Sequence, residues 1–195
     1  MHFYKLLLKT VVGIQLLLLT ALSPANAELG VWVGADYTNI GATVNYSNGH
    51  ERYTSNPIRL KLGYRGENFG IEAMAIQNTE QTITDPFGTD FTFSTEDNFG
   101  LYLHMHERWV FARVGATWYN TTYGAADGSP PQDQDYVVAP TISIGSEIFI
   151  GKHFFFTIDY TYSKGEGNYP NLISGDSTNA DVIFQGFGAG VNVIF

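Results

Sequence analysis

The chain has 195 residues, no cysteine and a formal net charge of −9 at pH 7. The length suits one domain and fits two poorly. The acidic charge argues against nucleic acid as a partner, and the lack of cysteine excludes a disulfide framework, so burial and backbone pairing must hold the fold together.

The first 27 residues have the three parts of a secretory signal peptide. Lys5 and Lys9 form a basic start, a run of leucine and valine follows, and Ala25-Asn26-Ala27 has the small-x-small pattern of a cleavage site. A membrane anchor is the alternative, but the run is shorter than the roughly 20 residues of a spanning helix. We predict a signal peptide over 1–27 and one domain over 28–195, whose charge becomes −11 when the two lysines leave.

Eight segments of the remaining chain have the alternating pattern of β-strands. Their approximate spans are 29–39, 56–65, 69–79, 96–106, 109–121, 135–149, 153–163 and 180–195. Short connections at 66–68, 107–108 and 150–152 alternate with long polar ones at 40–55, 80–95, 122–134 and 164–179. An even number of strands with short turns on one side and long loops on the other predicts a closed, up-and-down antiparallel barrel.

One face of each predicted strand is apolar, and we expect it to point outward. The set comprises Val31, Val33, Ala35, Tyr37, Ile58, Leu60, Leu62, Tyr64, Phe69, Ile71, Ala73, Ala75, Phe99, Leu101, Leu103, Met105, Val110, Ala112, Val114, Ala116, Trp118, Val138, Pro140, Ile142, Ile144, Phe154, Phe156, Ile158, Tyr160 and Tyr162. A soluble barrel or sandwich would bury these residues, but eight strands enclose too little space for so many aromatic rings. The pattern therefore predicts a transmembrane barrel. Pro140, which removes a ladder donor, predicts a local bulge or break.

The opposite faces carry charged residues, which we expect to point into the barrel. They are Asp36, Arg59, Lys61, Glu72, His104, Arg113, Glu147 and Asp159. An unpaired charge in a narrow lumen would cost several kcal/mol. We therefore predict an ion-pair network that fills the interior and has no catalytic role.

The last nine residues of the chain, 187–195, alternate apolar with small or polar residues, apart from Ile194. Their apolar positions are Phe187, Ala189, Val191, Val193 and Phe195. This ending resembles the C-terminal strand of bacterial outer-membrane β-barrel proteins, where such a strand is the signal read by the barrel assembly machinery. Residues 28–195 as a whole resemble the small OmpA-like and OmpX-like barrels of Gram-negative bacteria. The resemblance implies an all-β, eight-stranded antiparallel up-and-down transmembrane β-barrel in the outer membrane, with extracellular long loops, periplasmic termini and a lumen packed with paired charges.

The alternative hypothesis is an enzyme, because lipid A palmitoyltransferase and lipid A 3-O-deacylase are eight-stranded barrels. The deacylase family uses a His-x-Ser pair, in which the histidine activates the serine, and none of His50, His104, His106 and His153 begins such a pair. A palmitoyltransferase-like site could draw on His50 and Ser55. His104 and His106 are spaced like two metal ligands, but no third ligand matches. We expect no catalytic, metal or cofactor site.

Acidic residues are concentrated in the predicted long loops. They are Glu51, Glu80, Asp85, Asp90, Glu96, Asp97, Asp127, Asp133, Asp135, Glu166, Asp176 and Asp181, against Arg52 and Lys164. Such a rim could share divalent cations with lipopolysaccharide, but without the spaced ligands of a calcium loop a hydrated surface is favoured. We expect a monomer that contacts outer-membrane lipids and lipopolysaccharide, and that meets periplasmic chaperones and the assembly machinery during biogenesis. A narrow channel or a barrel that binds a small ligand is a third hypothesis.

Overall fold

The computed structural model describes residues 29–46, 49–84, 90–125, 133–170 and 177–195. The predicted signal peptide lies outside these ranges. Ten strands follow one another: β1 (Gly30–Tyr46), β2 (Gly49–Ser55), β3 (Ile58–Arg65), β4 (Phe69–Ile76), β5 (Thr79–Thr84), β6 (Asp90–Glu107), β7 (Val110–Ala125), β8 (Asp133–Ile150), β9 (Phe154–Pro170) and β10 (Ser177–Ile194). In the described part of the chain, no helix is long and apolar enough to cross a membrane.

The strands close into a single antiparallel barrel whose order around the wall follows the chain. β10 returns to pair with β1, which closes the sheet. β2 and β3 occupy one position in the wall, interrupted at residues 56–57, and β4 and β5 occupy another, interrupted at 77–78. The wall therefore has eight positions, and the predicted eight-stranded antiparallel barrel is confirmed.

Tight turns join the strands at one end of the barrel, as predicted. The Gly66 amide donates to the Phe69 carbonyl at 2.8 Å and closes the first turn. Arg108 and Gly151 adopt left-handed backbone conformations, with φ of 54° and 71°. Because only glycine takes this conformation without steric cost, Gly151 suits the third turn.

At the other end the strands extend well beyond their predicted limits. Most residues of the four predicted long loops pair in ladders, which reach residues 46 and 49, 84 and 90, 125 and 133, and 170 and 177 at this end. The prediction of loops over 40–55, 80–95, 122–134 and 164–179 is therefore wrong in extent. The alternation of apolar residues reveals only the part of each strand whose outer face is apolar. Backbone hydrogen bonds continue the ladder beyond that part, where the outward residues are polar.

Side chains alternate between the two faces of the wall. Every residue assigned to the apolar outward set is exposed or partly exposed, as are the five apolar positions of the last strand. The exterior includes cross-strand aromatic contacts, such as the Phe99 and Trp118 rings, which stack with centroids 4.7 Å apart. Pro140 does interrupt pairing, since the ladder between β8 and β9 ends at Thr141.

Candidate functional site

The interior of the barrel is filled by side chains in successive layers. Nearest the tight turns, Trp32, Phe155 and Ile194 form a buried apolar cluster against Phe149. A charged layer lies above it, followed by a chain of hydroxyl groups. At the far end lies a second cluster, formed by Ala42, Val44, Tyr53, Met74, Ile76, Phe93, Tyr102, Tyr119, Val137, Ala139, Ala180, Val182 and Phe184.

Arg59, on β3, connects the neighbouring strand β1 with β9. Its Nη2 atom donates to Asp36 Oδ2 and to Asp159 Oδ1, each at 2.7 Å. Lys61 approaches the other oxygen of Asp36, with Nζ 2.6 Å from Oδ1, and Thr157 accepts a further bond from Nζ at 3.2 Å. Asp36 is therefore paired with cations of the neighbouring strand, whereas Asp159 is reached by Arg59 across the lumen.

Arg113 makes a second set of ion pairs in the same layer. Nη1 donates to Glu72 Oε1 and Nη2 to Asp159 Oδ2, each at 2.5 Å. Because Asp159 also accepts from Arg59, the two guanidinium groups are joined through one carboxylate. Charge-assisted hydrogen bonds of this kind are stronger than neutral ones and fix the relative positions of the strands that carry them.

Glu147 forms an ion pair with Arg65, a cation that the predicted inward set did not include. Arg65 donates to it through Nη1, and His104 Nε2 lies 3.2 Å from its Oε1. Arg65 follows Arg59 and Lys61 at even spacing on β3, so period-2 alternation could have placed it inside. His106, expected only as a neighbour of a turn, is also buried, and its Nε2 lies 2.9 Å from the Glu67 carbonyl.

The charged layer is balanced as well as buried. Arg59, Lys61, Arg65 and Arg113 face Asp36, Glu72, Glu147 and Asp159, and all of these side chains are at most 5% exposed. Removing one member of such a buried pair leaves an uncompensated charge, at a cost of about 3–5 kcal/mol. The structure brings together all eight residues of the predicted set in one interior layer.

Two glycines of β10 make room for this layer. A Cβ atom at Gly188 would overlap the Arg59 guanidinium, and one at Gly190 would overlap the Asp36 carboxylate. The sequence shows these glycines only as the small residues between the apolar positions of the last strand. Their role depends on which side chains lie opposite, so no local pattern could have shown it.

Hydroxyl groups continue the polar interior above the ion pairs. Thr117 contacts Tyr102 at 2.6 Å and Thr141 at 2.8 Å, and Thr141 in turn contacts Ser163 at 2.7 Å. A hydroxyl can both donate and accept. The hydroxyl groups of this row therefore satisfy one another's hydrogen bonds across four strands, without any formal charge.

The His104 and His106 rings lie 5.5 Å apart between centroids, but the residues considered for an enzyme-like site are not brought together. On β2, His50 is exposed, whereas Ser55, five residues further on, lines a cavity in the interior. His153 lies at a tight turn, far along the barrel from either. Among the described residues, no group of three or more His, Asp or Glu side chains could hold a metal ion.

The acidic side chains outside the lumen are spread over the strand ends. Glu80, Glu96, Asp97 and Glu166 are exposed. Asp181 pairs with Lys164 at 2.7 Å in a largely exposed salt bridge. Asp85, Asp127 and Asp176 lie outside the described residues, as do the side chains of Glu51, Asp90, Asp133 and Asp135.

A closed eight-stranded barrel with an apolar exterior and paired charges inside agrees with a comparison against protein families. The model of the outer membrane protein beta-barrel domain matches residues 13–195, nearly the whole chain. The chain belongs to this family. Its location in the outer membrane follows from that membership.

Solved structures of similar fold are outer-membrane barrels of low sequence identity. Ail, the attachment invasion locus protein of Yersinia pestis, has a TM-score of 0.51 at 13% identity, over 85% of this chain and 99% of Ail. OprG from Pseudomonas aeruginosa has a TM-score of 0.51 at 13% identity, over 85% and 97%. AlkL, determined in DMPC lipid bilayers, has a TM-score of 0.55 at 15% identity, over 89% and 94%. These likenesses establish the fold, and no curated protein matches the sequence.

Proposed function

We propose that this protein is a non-enzymatic, monomeric integral outer-membrane barrel with a packed lumen, which serves envelope structure and surface interaction. The observation that carries the proposal is the balanced charged layer. Four cations and four carboxylates meet across an eight-stranded interior, which is only wide enough for side chains to fill. Every one of these charges has a partner of opposite sign, so the layer holds the strands together. It leaves no unpaired charge to attract a permeating ion.

The acidic residues at the strand ends support the proposal that this end of the barrel is the surface for interaction. In our proposal the tight turns and both termini lie in the periplasm, and the acidic ends face the exterior, where they meet lipopolysaccharide and surface partners. The alternating apolar residues of β10, from Phe187 to Phe195, serve as the signal for the assembly machinery. Loops and strand ends are where barrels of fixed architecture vary their contacts.

A planar-bilayer recording tests the packed lumen. We expect the purified, folded protein to show no stable ohmic conductance of the size that general porins give. A control variant, Arg52→Ala, changes an exposed cation of β2 outside the charged layer and should behave like the wild type. A steady wild-type channel whose ion selectivity changes on Arg113→Ala, but not on Arg52→Ala, would replace this proposal with a conducting barrel.

A further inference from the structure

A bulge in β6 changes which side chains of this strand point into the upper part of the barrel. The register between β6 and β7 shifts between Glu96 and Phe99, and Asp97 has a φ of 48°. Left-handed backbone at a residue other than glycine is uncommon, and bulges often redirect one side chain. Here the bulge brings Phe93 and Thr95 to the same inner face as Asn98, which keeps the inward phase of Tyr102 and His104 and is 3% exposed.

The Asn98 amide is satisfied on one side only. Its Nδ2 group donates to Thr95 Oγ1 at 3.0 Å, and Thr95 Oγ1 contacts Thr79 Oγ1 at 2.9 Å. Its Oδ1 atom is buried and has no hydrogen-bond partner. A buried acceptor without a donor costs about 1–3 kcal/mol, so this oxygen has a strong preference for a ligand group with a proton to give.

The free oxygen belongs to a residue that lines a cavity. Ile40, Ile76, Phe93 and Phe184 provide much of its apolar wall, and its volume is about 30 Å³, enough for two or three water-sized groups. All the described residues that line it are neutral. Such walls disfavour a charged ligand, which would lose its hydration without gaining a counter-ion.

The wall of the barrel is split beside this cavity. β2 pairs only with β1 and β5 only with β6, so within the described ranges no ladder joins β2 to β5. A side chain bridges the split, since the Thr54 amide donates to Gln81 Oε1 at 2.7 Å. Ser55 and Gln81, one from each edge, both line the cavity. A chain-like molecule too long for the cavity would have to pass between these two edges, where this hydrogen bond is the described bridge.

We infer that the cavity binds a neutral alcohol with an unbranched hydrocarbon chain. The hydroxyl group donates its proton to Asn98 Oδ1, the first carbons pack against Phe93 and Ile76, and the rest of the chain runs towards the split between β2 and β5. This site lies beyond the charged layer and is independent of whether that layer conducts. Water alone would satisfy Asn98 but would leave the apolar walls wetted.

A titration of the full barrel in phosphatidylcholine nanodiscs with 1-hexanol tests the site, with the Asn98 side-chain amide followed by NMR. We expect a saturable shift. Two comparison probes isolate the chemistry: 1-methoxypentane, an isomer without the hydroxyl proton, and hexylammonium, which is charged. Each should bind at least about tenfold more weakly, the factor that 1.4 kcal/mol represents.

Two variants locate the site, and one serves as their control. Asn98→Leu removes the acceptor and Ala42→Leu fills the cavity while leaving Asn98 in place, so that either one tests the inference if the other fails to fold. With 1-hexanol the remaining amide signals of the cavity should lose their saturable shift in both. Asn68→Leu, in an exposed turn at the opposite end, should bind as the wild type does. Shifts that rise without saturation and equally in all variants, or equal binding of the ether, would overturn the inference.

Discussion

At the scale of single residues, the interior depends as much on the smallest side chains as on the charged ones. Gly188 lies where β10 passes the Arg59 guanidinium, and the position leaves no space for a methyl group beside Arg59 and Asp159. Gly41, on the paired strand β1, differs, because a Cβ there would have its nearest neighbour at 3.6 Å, an ordinary contact. The two glycines therefore offer a matched test of how tightly the charged layer is packed.

We predict that Gly188→Ala lowers the free energy of unfolding by about 1–3 kcal/mol, the usual cost of overpacking a filled interior. Gly41→Ala should stay within about 1 kcal/mol of the wild type, because it meets no close atom and reduces the freedom of the unfolded chain. Reversible urea unfolding in lipid vesicles measures both. Equal stability of the two variants would mean that the charged layer has space for a methyl group beside β10.

The packing of Ile194 explains why this residue breaks the alternating pattern. It is the exception to the small and polar inner face of residues 187–195, and it is 1% exposed. It packs with Trp32 and Phe155 in the cluster that closes the end with the tight turns. A polar side chain there would lie among aromatic rings, so the break in alternation belongs to the layering of the interior.

At the scale of the strands, the outer and inner faces follow different rules. The exterior is apolar only along the part of each strand nearer the tight turns, whereas strand pairing continues to the far ends, as β5 and the start of β6 show. Leu101 lies on the apolar part and is 57% exposed. Thr82 is also exposed but lies on β5, among polar outward residues.

A positive charge should therefore be tolerated at one of these positions and not at the other. Leu101→Arg is expected to cost about 2–4 kcal/mol if the position lies near the bilayer midplane, because arginine must leave water for hydrocarbon. Thr82→Arg should cost about 1 kcal/mol or less, as expected near or beyond the interface. The same vesicle titration measures both variants. A tolerated arginine at position 101 would contradict the assignment of that face to lipid.

At the scale of the whole molecule, closure of the barrel separates two kinds of ion pair. Arg113 and Glu72 lie within the filled interior, with side chains 1% exposed, whereas Lys164 and Asp181 are 47% and 40% exposed at the strand ends. Salt screens exposed charges strongly and buried ones much less. Exposed pairs contribute about 0–1 kcal/mol in any case.

Double-mutant cycles with alanine at both members of each pair should show this separation. We expect a coupling energy of about 3 kcal/mol for Arg113 with Glu72, nearly the same at low salt and at about 1 M salt, where the Debye length is about 3 Å. The coupling of Lys164 with Asp181 should be small and should vanish at high salt. If the interior coupling fell just as steeply, the lumen would contain mobile ions and the packed interior would be wrong.

The sequence by itself determined the barrel and its two faces. Alternation along a strand is a local property, because successive side chains point to opposite sides whatever lies beside them. Eight apolar faces and three tight turns therefore predicted the antiparallel barrel, the outward set, and the inward position of residues such as Arg59 and Asp159. The same period could also have placed Arg65 inside.

Only the tertiary structure decided which residues meet. Asp159 bridges Arg59 and Arg113 because strand stagger brings three distant segments to one level, and stagger is a property of the closed sheet. The extent of the strands, the space left by Gly188, the split between β2 and β5 and the bulge that brings Thr95 beside Asn98 likewise depend on backbone pairing between segments. Pairing uses groups that every residue carries, so side-chain patterns specify it weakly, and the assembled wall is what fixes it.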